Sequence, residues 1–313
     1  MMRPDPKHYA YDLAGTLSAM VGLRARIPDD AFTADVLGTE RLGHGVFIER
    51  GIVLTIGYLI TEAETIWLTL ADGRTVPGHV LGYDQETGFG LVQVLARIDT
   101  PHIPLGRSGK ASIGERVVIA GHGGIERAVA ARIVGRQEFA GYWEYVLDQA
   151  IFVAPAHPLW GGAGLVDASG KLIGIGSLNL QHKPENGEPM DLNMVVPTDL
   201  LAPILDDLKR FGHPNKPARP WLGLYAMGIE GSIVVSGVAG KGPARSAGIQ
   251  RGDIITAVGD TRVGVLARFF RAVWALGDAG VEVPLTLMRR GDIVRAMVRS
   301  GDRRNFLKGH KLH

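Results

Sequence analysis

Short apolar runs separated by glycine and polar turns fill the chain from about residue 43 to residue 178. The runs are rich in β-branched and aromatic residues and recur about every 10–15 residues: HGVFIE, GIVLTI, TIWLTLADGR, TVPGHVLGYD, FGLVQVL, ERVVIAG, AVAARIVG, WEYVLDQ and KLIGIGSL. Turn signals such as Asp72-Gly73 and Ser169-Gly170 lie between them. Because no long helical crossover separates the runs, they predict an all-β sandwich or a pair of barrels.

Two segments carry apolar residues at helical spacing. The first predicts a short amphipathic helix within an N-terminal helical segment, residues 1–35, from Leu13, Leu17, Met20 and Val21. The second follows the strands. Thr198 is the expected N-cap of a helix whose apolar stripe comprises Leu200, Leu201, Ile204, Leu205 and Leu208. These two segments bound a β-rich domain, residues 36–210.

A proline-rich stretch, HPNKPARP, indicates a domain boundary. Such a stretch is stiff and extended, and we expect a linker over residues 211–219. Beyond it, strands are predicted for GSIVVSGV, GDIITAVGD, VPLTLMRR and DIVRAMVRS. A helix is predicted over residues 265–276, with its apolar face formed by Leu266, Phe269, Phe270, Val273 and Trp274. Residues 220–306 are therefore expected to form a second, smaller β-rich domain.

The composition excludes several classes of protein and site. The 313 residues are 46% hydrophobic and 21% charged, which is typical of a globular chain and not of a disordered, collagen-like or coiled-coil one. The absence of cysteine excludes disulfides, thiolate nucleophiles and zinc–thiolate sites. No apolar run is long enough to span a membrane. Asp5 and Asp12 interrupt the amino terminus, so we expect no signal peptide and a cytoplasmic location, with a periplasmic one less favoured.

The net charge of +2 is unevenly distributed. From Arg219 onward the chain has 15 Lys and Arg against 7 Asp and Glu. A basic surface can bind nucleic acid or anionic lipid, but these arginines are spread along a predicted strand and its exit, which is typical of a solvated edge. We therefore expect no nucleic-acid partner. No metal or other cofactor is expected either, because the histidines lack ligand spacing and the glycine-rich AGHGGIE loop lacks the features of a phosphate site.

Two passages resemble bacterial HtrA proteases. The stretch GPARSAGIQRGDIITAVGD, which follows PWLGLYAMG, resembles the PDZ domain of that family. The stretch LGHGVFIERGIVLTIGYLITEAETIWLTLADGRTVPGHVLGYDQETGFGLVQV is similar to the first barrel of its trypsin-like domain. The resemblance covers about Gly43 to Phe306. It implies a mostly β chain, with a trypsin-like double six-stranded β-barrel followed by a PDZ domain.

The same resemblance places unsuitable residues at the three catalytic positions. The histidine position falls on Tyr58, the aspartate position on Gly88, and the serine position on Gly161, or on Trp160 if one residue is inserted. Acyl transfer needs a hydroxyl nucleophile, an imidazole base and an orienting carboxylate. Glycine supplies none of these groups, and a phenol with an ordinary pKa near 10 is a poor base at pH 7. The interpretation is a catalytically silent protease fold.

Two alternatives stay open around these positions. A rearranged serine endopeptidase site could pair His157 with Ser177 or Ser108, although neither serine has a Gly-x-Ser-Gly setting. Trp160 could fill the former cleft, or it could be an exposed anchor for a partner protein.

The PDZ-like domain keeps a recognisable ligand site. Trp221-Leu222-Gly223-Leu224 matches the loop that holds a peptide's terminal carboxylate with backbone N–H groups in this family. The helix with Phe269, Phe270 and Val273 is expected to form the far wall of the peptide groove, and Arg268 and Arg271 on its polar face would favour acidic peptides. The resemblance implies peptides or unfolded protein segments as partners, and a homo-oligomer, a trimer in this family. The leading hypothesis is a pseudoprotease that binds peptides. The alternative is a serine endopeptidase with a rearranged active site.

Overall fold

Contacts within the chain define two compact units. The structure is a computed structural model that describes residues 2–183 and 188–309. The first unit contains the chain as far as Gln137 together with Gln149–Asn215, and the second contains Glu138–Asp148 and Lys216–Lys308. The boundary after Asn215 falls inside the proline-rich stretch. The assignment of Glu138–Asp148 to the second unit was not predicted.

Six antiparallel strands close the first barrel in the order β1-β2-β3-β6-β5-β4. Their bounds are β1 (Met20–Arg26), β2 (Glu40–Glu49), β3 (Ile52–Ile56), β4 (Thr65–Thr69), β5 (Thr75–Tyr83) and β6 (Phe89–Val94). All five residues of β3 are buried, which explains its continuous apolar sequence. Phe47 and Phe89 are completely buried in the unit's core.

Six further strands close the second barrel in the order β10-β11-β12-β9-β8-β7. Their bounds are β7 (Arg116–Ala120), β8 (Val129–Gly141), β9 (Tyr145–Ala154), β10 (Gly164–Val166), β11 (Leu172–His182) and β12 (Met190–Pro197). Their inward residues, among them Ile119, Val129 and Leu165, form one apolar cluster. The two barrels confirm the predicted double six-stranded architecture.

The N-terminal helix is shorter than predicted. Helix α1 (Leu13–Leu17) begins after Asp12, whose carboxylate accepts the Gly15 N–H, and α2 (Ala34–Leu37) follows later. Met20 and Val21 do not continue α1 but begin β1, where both are buried. They pair with β2 because the strand is needed to close the barrel. The predicted helical segment 1–35 therefore contains a barrel strand, and this prediction was wrong.

The helix predicted from Thr198 is interrupted. A 3-10 turn spans Thr198–Leu200, and α3 (Leu205–Phe211) begins only after a further turn. Pro203 lies in the gap and disfavours a helical conformation at the residue before it. Thr198 does not cap a helix, because its hydroxyl lies 3.3 Å from the Leu172 carbonyl. The other 3-10 turns are Pro6–His8, Gly57–Leu59, Ser108–Lys110, Gly124–Arg127 and Arg303–Phe306.

The second unit contains one antiparallel sheet in the order β13-β14-β15-β17-β18, with β16 paired to β15. Its elements are β13 (Leu224–Ile229), β14 (Ser232–Val238), α4 (Pro243–Ser246), β15 (Ile254–Val258), β16 (Thr261–Arg262), α5 (Leu266–Trp274), β17 (Glu282–Arg289) and β18 (Asp292–Arg299). Phe269 and Phe270 of α5 are buried in the core of this unit. Strands β14, β15, β17 and β18 and helix α5 lie where the sequence predicts them, whereas β13 and β16 were not predicted.

Candidate functional site

The positions that resemble a catalytic triad are neighbours in the first unit. Tyr58 lies in the turn after β3, and the N–H of the preceding Gly57 donates to the Gly88 carbonyl at 2.7 Å. A Cβ atom placed on Gly161 would lie 2.8 Å from the Tyr58 hydroxyl oxygen. The Tyr58 hydroxyl itself donates to the Ser177 carbonyl at 2.8 Å. The cleft position of a nucleophile is thus filled by a phenol.

Tyr58 is poorly suited to accept a proton. Burial raises the pKa of its phenol above the ordinary value near 10. Its proton is already donated to a backbone carbonyl. At neutral pH the group is therefore a neutral hydrogen-bond donor that fills space.

A buried polar network fixes the turn that carries Tyr58. The Arg41 guanidinium donates to the carbonyls of Tyr58 and Thr61 at 2.6 and 3.0 Å, and to the Thr33 hydroxyl at 2.7 Å. The Glu62 carboxylate accepts from both the N–H and the hydroxyl of Thr33. Burial lowers the pKa of Arg41 to about 10, so it stays charged at neutral pH. Sequence reasoning missed this network because its members are far apart in the chain.

Three imidazoles lie near Gly161, and each is bonded to backbone groups. His157 Nε2 lies 2.7 Å from the Arg127 carbonyl, while its Nδ1 accepts the Leu159 N–H at 3.1 Å. His44 Nδ1 accepts the His122 N–H at 3.1 Å. His122 Nε2 in turn lies 3.0 Å from the Leu70 carbonyl. Both ring nitrogens of His157 therefore have backbone partners, whereas His44 Nε2 is buried without a hydrogen-bond partner among the described residues.

The two serines considered for a rearranged site have other hydrogen-bond partners, Ser108 through its hydroxyl and Ser177 through its backbone carbonyl. The Ser108 hydroxyl accepts the Asp199 N–H at 3.0 Å, and Ser177 contributes its carbonyl to Tyr58. No hydrogen bond joins either hydroxyl to His157, both of whose ring nitrogens have backbone partners. Trp160 is half-buried, so its side chain is neither completely enclosed nor fully exposed.

The predicted carboxylate-binding loop of the second unit holds a carboxylate from this chain. The N–H groups of Leu222, Gly223 and Leu224 donate to the Glu144 carboxylate at 2.9, 2.8 and 3.2 Å. Gly223 has a φ of 72°, a left-handed conformation that glycine adopts easily, and this turns successive N–H groups toward one point. The loop therefore holds a carboxylate group with three backbone donors.

Trp221 and Phe270 have different roles from those three residues. The Trp221 N–H donates to the Gly301 carbonyl at 3.0 Å, and its ring packs against Phe306. Phe270 is buried in the apolar core, which also contains Val146. Trp221 therefore anchors the start of the loop and its N–H does not contact the anion.

Glu144 is the residue of this site that sequence reasoning missed. It lies in the three-residue turn Tyr142–Glu144 between β8 and β9, which we call the hairpin tip. Burial raises the pKa of Glu144 to about 7, although the three backbone hydrogen bonds and the charge of Arg303 act in the opposite direction. Burial therefore offsets part of the stabilisation that the three hydrogen bonds give to the ionised Glu144 carboxylate.

Two further contacts join the hairpin to the second unit's elements. The Ala226 N–H on β13 donates to the Tyr142 carbonyl at 3.0 Å. Arg271 on α5 binds the carboxylates of Glu138 and Asp148, each at 2.5 Å. Arg271 was predicted to favour an acidic peptide, but here its acidic partners belong to the same chain. Arg268 is exposed.

The described residues contain no group of three or more His, Asp or Glu side chains placed to hold a metal ion. Among the same residues, no helix has the length and apolar character required to cross a membrane.

The contact between Gly161 and Tyr58 predicts a coupled effect on stability. Gly161→Ala should lower the free energy of unfolding by about 1–3 kcal/mol, because the added methyl overlaps the Tyr58 hydroxyl. In a Tyr58→Phe background the cost should be smaller, since that hydroxyl is absent. Urea denaturation of the four proteins measures the coupling. The control Gly240→Ala, at a position with open space, should cost the same in both backgrounds; equal costs for Gly161→Ala would contradict the packing described.

Buried His44 predicts a loss of stability in acid. Burial lowers the pKa of His44 to about 4, helped by the neighbouring His157, so the folded protein keeps the ring neutral while the unfolded chain protonates near pH 6.5. The free energy of unfolding should therefore decrease as the pH falls below 6.5, by about 2 kcal/mol at pH 5. His44→Asn should flatten the fall in urea midpoint between pH 7.5 and 5. The exposed control His182→Asn should leave it unchanged, and identical slopes in all three proteins would refute this assignment.

Two family models match the chain in sequence order. A model described as a trypsin-like peptidase domain matches residues 43–175, and one described as a PDZ domain matches residues 220–299.

Curated relatives of the chain come from a plant and from bacteria. The chain is 30% identical over 268 residues to "Protease Do-like 1, chloroplastic" of Arabidopsis thaliana, covering 76% of this chain and 58% of that protein. It is 26% identical to "Probable periplasmic serine endoprotease DegP-like" of Hahella chejuensis, covering 84% and 57%. With "Serine endoprotease DegS" of Escherichia coli K12 it shares 29% identity, covering 81% and 74%. The chain thus spans little more than half the length of the first two relatives.

Solved structures support the fold. The "HtrA-type protease AlgW with decapeptide" matches at a TM-score of 0.55 with 21% identity, covering 93% of this chain and 98% of that one. A serine endoprotease from Yersinia pestis matches at 0.51 with 23% identity, covering 95% and 96%. A trypsin-like domain followed by a PDZ domain, together with these relatives, shows that the chain belongs to the HtrA family.

Proposed function

We propose that this protein is a catalytically silent HtrA-like peptide-binding protein, which recognises carboxyl termini or exposed apolar segments through its PDZ domain. The single observation that carries the proposal is the convergence of the Leu222, Gly223 and Leu224 N–H groups on one carboxylate. A site that holds the Glu144 side-chain carboxylate has the chemistry to hold a peptide's terminal carboxylate. A solved relative, AlgW, was crystallised with a decapeptide.

The barrel unit supports the silent half of the proposal. The resemblance aligns Tyr58, Gly88 and Gly161 with the triad positions, and the nearby imidazoles contact backbone atoms. The oxyanion hole of a trypsin-like enzyme uses the N–H of the nucleophile and of the residue two before it. For a nucleophile position at Gly161 the second donor is Leu159, whose N–H donates to His157 Nδ1. In this proposal, therefore, the barrel unit provides neither a nucleophile–base pair nor a complete two-donor oxyanion hole.

In this proposal the barrel unit acts as a scaffold. The homo-oligomer implied by the family stays a prediction, as does a cytoplasmic location.

The absence of a working nucleophile predicts no reaction with active-site-directed reagents. Incubation with a fluorophosphonate probe should leave every serine unlabelled in intact-mass and peptide-mapping measurements, and unfolded casein should stay uncleaved. Trypsin treated in parallel supplies the positive control. Stoichiometric labelling of Ser177 or Ser108 would instead establish the alternative, a serine endopeptidase with a rearranged site.

A further inference from the structure

The hairpin tip contacts the PDZ domain in the way that an added peptide strand would. Tyr142 pairs with Ala226 on β13, and Glu144, two residues later, reaches the loop that ends at Leu224. From Tyr142 to Glu144 the residue number rises, while the residue number of the partner falls from 226 toward 223. This is the order of an antiparallel strand joined to the edge of a sheet.

The carboxylate of Glu144 ends this strand at the anion site. Glu144 is 9% exposed and has a φ of 61°, a left-handed conformation that a glutamate rarely adopts. Such a conformation persists where surrounding contacts compensate for its cost. The three hydrogen bonds from Leu222, Gly223 and Leu224 provide that compensation.

A third set of contacts binds the hairpin to the helix expected to form the other wall of the groove. Arg271 of α5 pairs with Glu138 on one strand of the hairpin and with Asp148 on the other. Val146, just after the tip, is buried in the same apolar core as Phe270. Strand β13, the carboxylate loop and α5 are thus all engaged by residues 138–148.

We propose that the hairpin tip is an internal ligand of the PDZ domain, which an external peptide must displace before it can bind. This inference rests on the proposed function, because it assumes that the same loop binds peptides. A competing peptide would therefore need three features. It would have a free carboxylate for the loop, an extended backbone that pairs with β13, and an upstream acidic residue that binds Arg271. Because the tip occupies the groove in most molecules, the apparent affinity for an external peptide equals the intrinsic affinity multiplied by the fraction of molecules whose groove is open.

The competing peptide can be built from the tip itself. We suggest the heptapeptide EFAGYWV, which has the sequence of residues 138–143 followed by valine, with a free carboxyl terminus. Its amide is the matched control, since it lacks the charge that the loop binds. Fluorescence anisotropy of the labelled peptides on the full-length protein gives the two dissociation constants.

Removing the internal carboxylate should open the groove. Glu144→Ala should bind the free-acid heptapeptide at least about tenfold more tightly than the unmodified protein does, while the amide should bind neither. Glu282→Ala, which removes an exposed carboxylate from β17, should bind like the unmodified protein. Hydrogen exchange at the Ala226 amide should accelerate in Glu144→Ala, because its partner carbonyl belongs to the tip.

The outcomes distinguish the internal-ligand proposal from the proposed peptide-binding function. Equal affinity of the Glu144→Ala and unmodified proteins for the free acid would overturn the internal ligand and leave peptide binding intact. Failure of the free acid to bind either folded protein better than the amide would overturn the proposed function. If Glu144→Ala loses its thermal unfolding transition, replacing Tyr142–Glu144 by an Asn-Gly turn decides the question, and the same gain in affinity is expected.

Discussion

Three successive backbone N–H groups that point to one place must be satisfied by an anion or by water, and this requirement organises the second unit. Gly223, with its positive φ, creates the arrangement at Leu222–Leu224. In this chain Glu144 satisfies it from 78 residues away in the sequence. The contact helps to hold Glu138–Asp148 of the β8–β9 hairpin in the same compact unit as the PDZ domain. In the proposed function, recognition and occlusion use the same three donors.

The barrel unit shows how the space around the triad-aligned positions is filled. Tyr58 fills the space beside Gly161 and donates its proton to the Ser177 carbonyl. The Arg41 guanidinium donates to two carbonyls of the turn that carries Tyr58 and so helps to position the phenol. In the proposed function the barrel unit retains the fold, while its triad-aligned residues do not transfer protons. The proposal therefore assigns ligand binding to the PDZ domain, whose loop holds a carboxylate.

Local patterns predicted the elements whose stability depends on local burial. Continuous apolar runs such as β3 and the stripe on α5 were predicted correctly, and the double barrel followed by a PDZ domain was confirmed. Errors arose where tertiary constraints prevail. Met20 fits a helical stripe but closes a barrel, and Pro203 divides the predicted helix after Thr198. The carboxylate loop could be identified from Gly223 and its neighbours. Its occupant could not, because nothing local to Glu144 indicates a partner so distant in sequence.

The most direct test of this account is a pH titration of the backbone amides of the carboxylate loop by ¹H–¹⁵N NMR. If the Glu144 carboxylate lies on the loop, the Leu222, Gly223 and Leu224 amides should shift together with one midpoint near 7, the pKa of Glu144. The shared transition should vanish in Glu144→Gln. Amides that do not titrate together, or that titrate unchanged in that variant, would show that the loop does not hold Glu144 and would contradict the account.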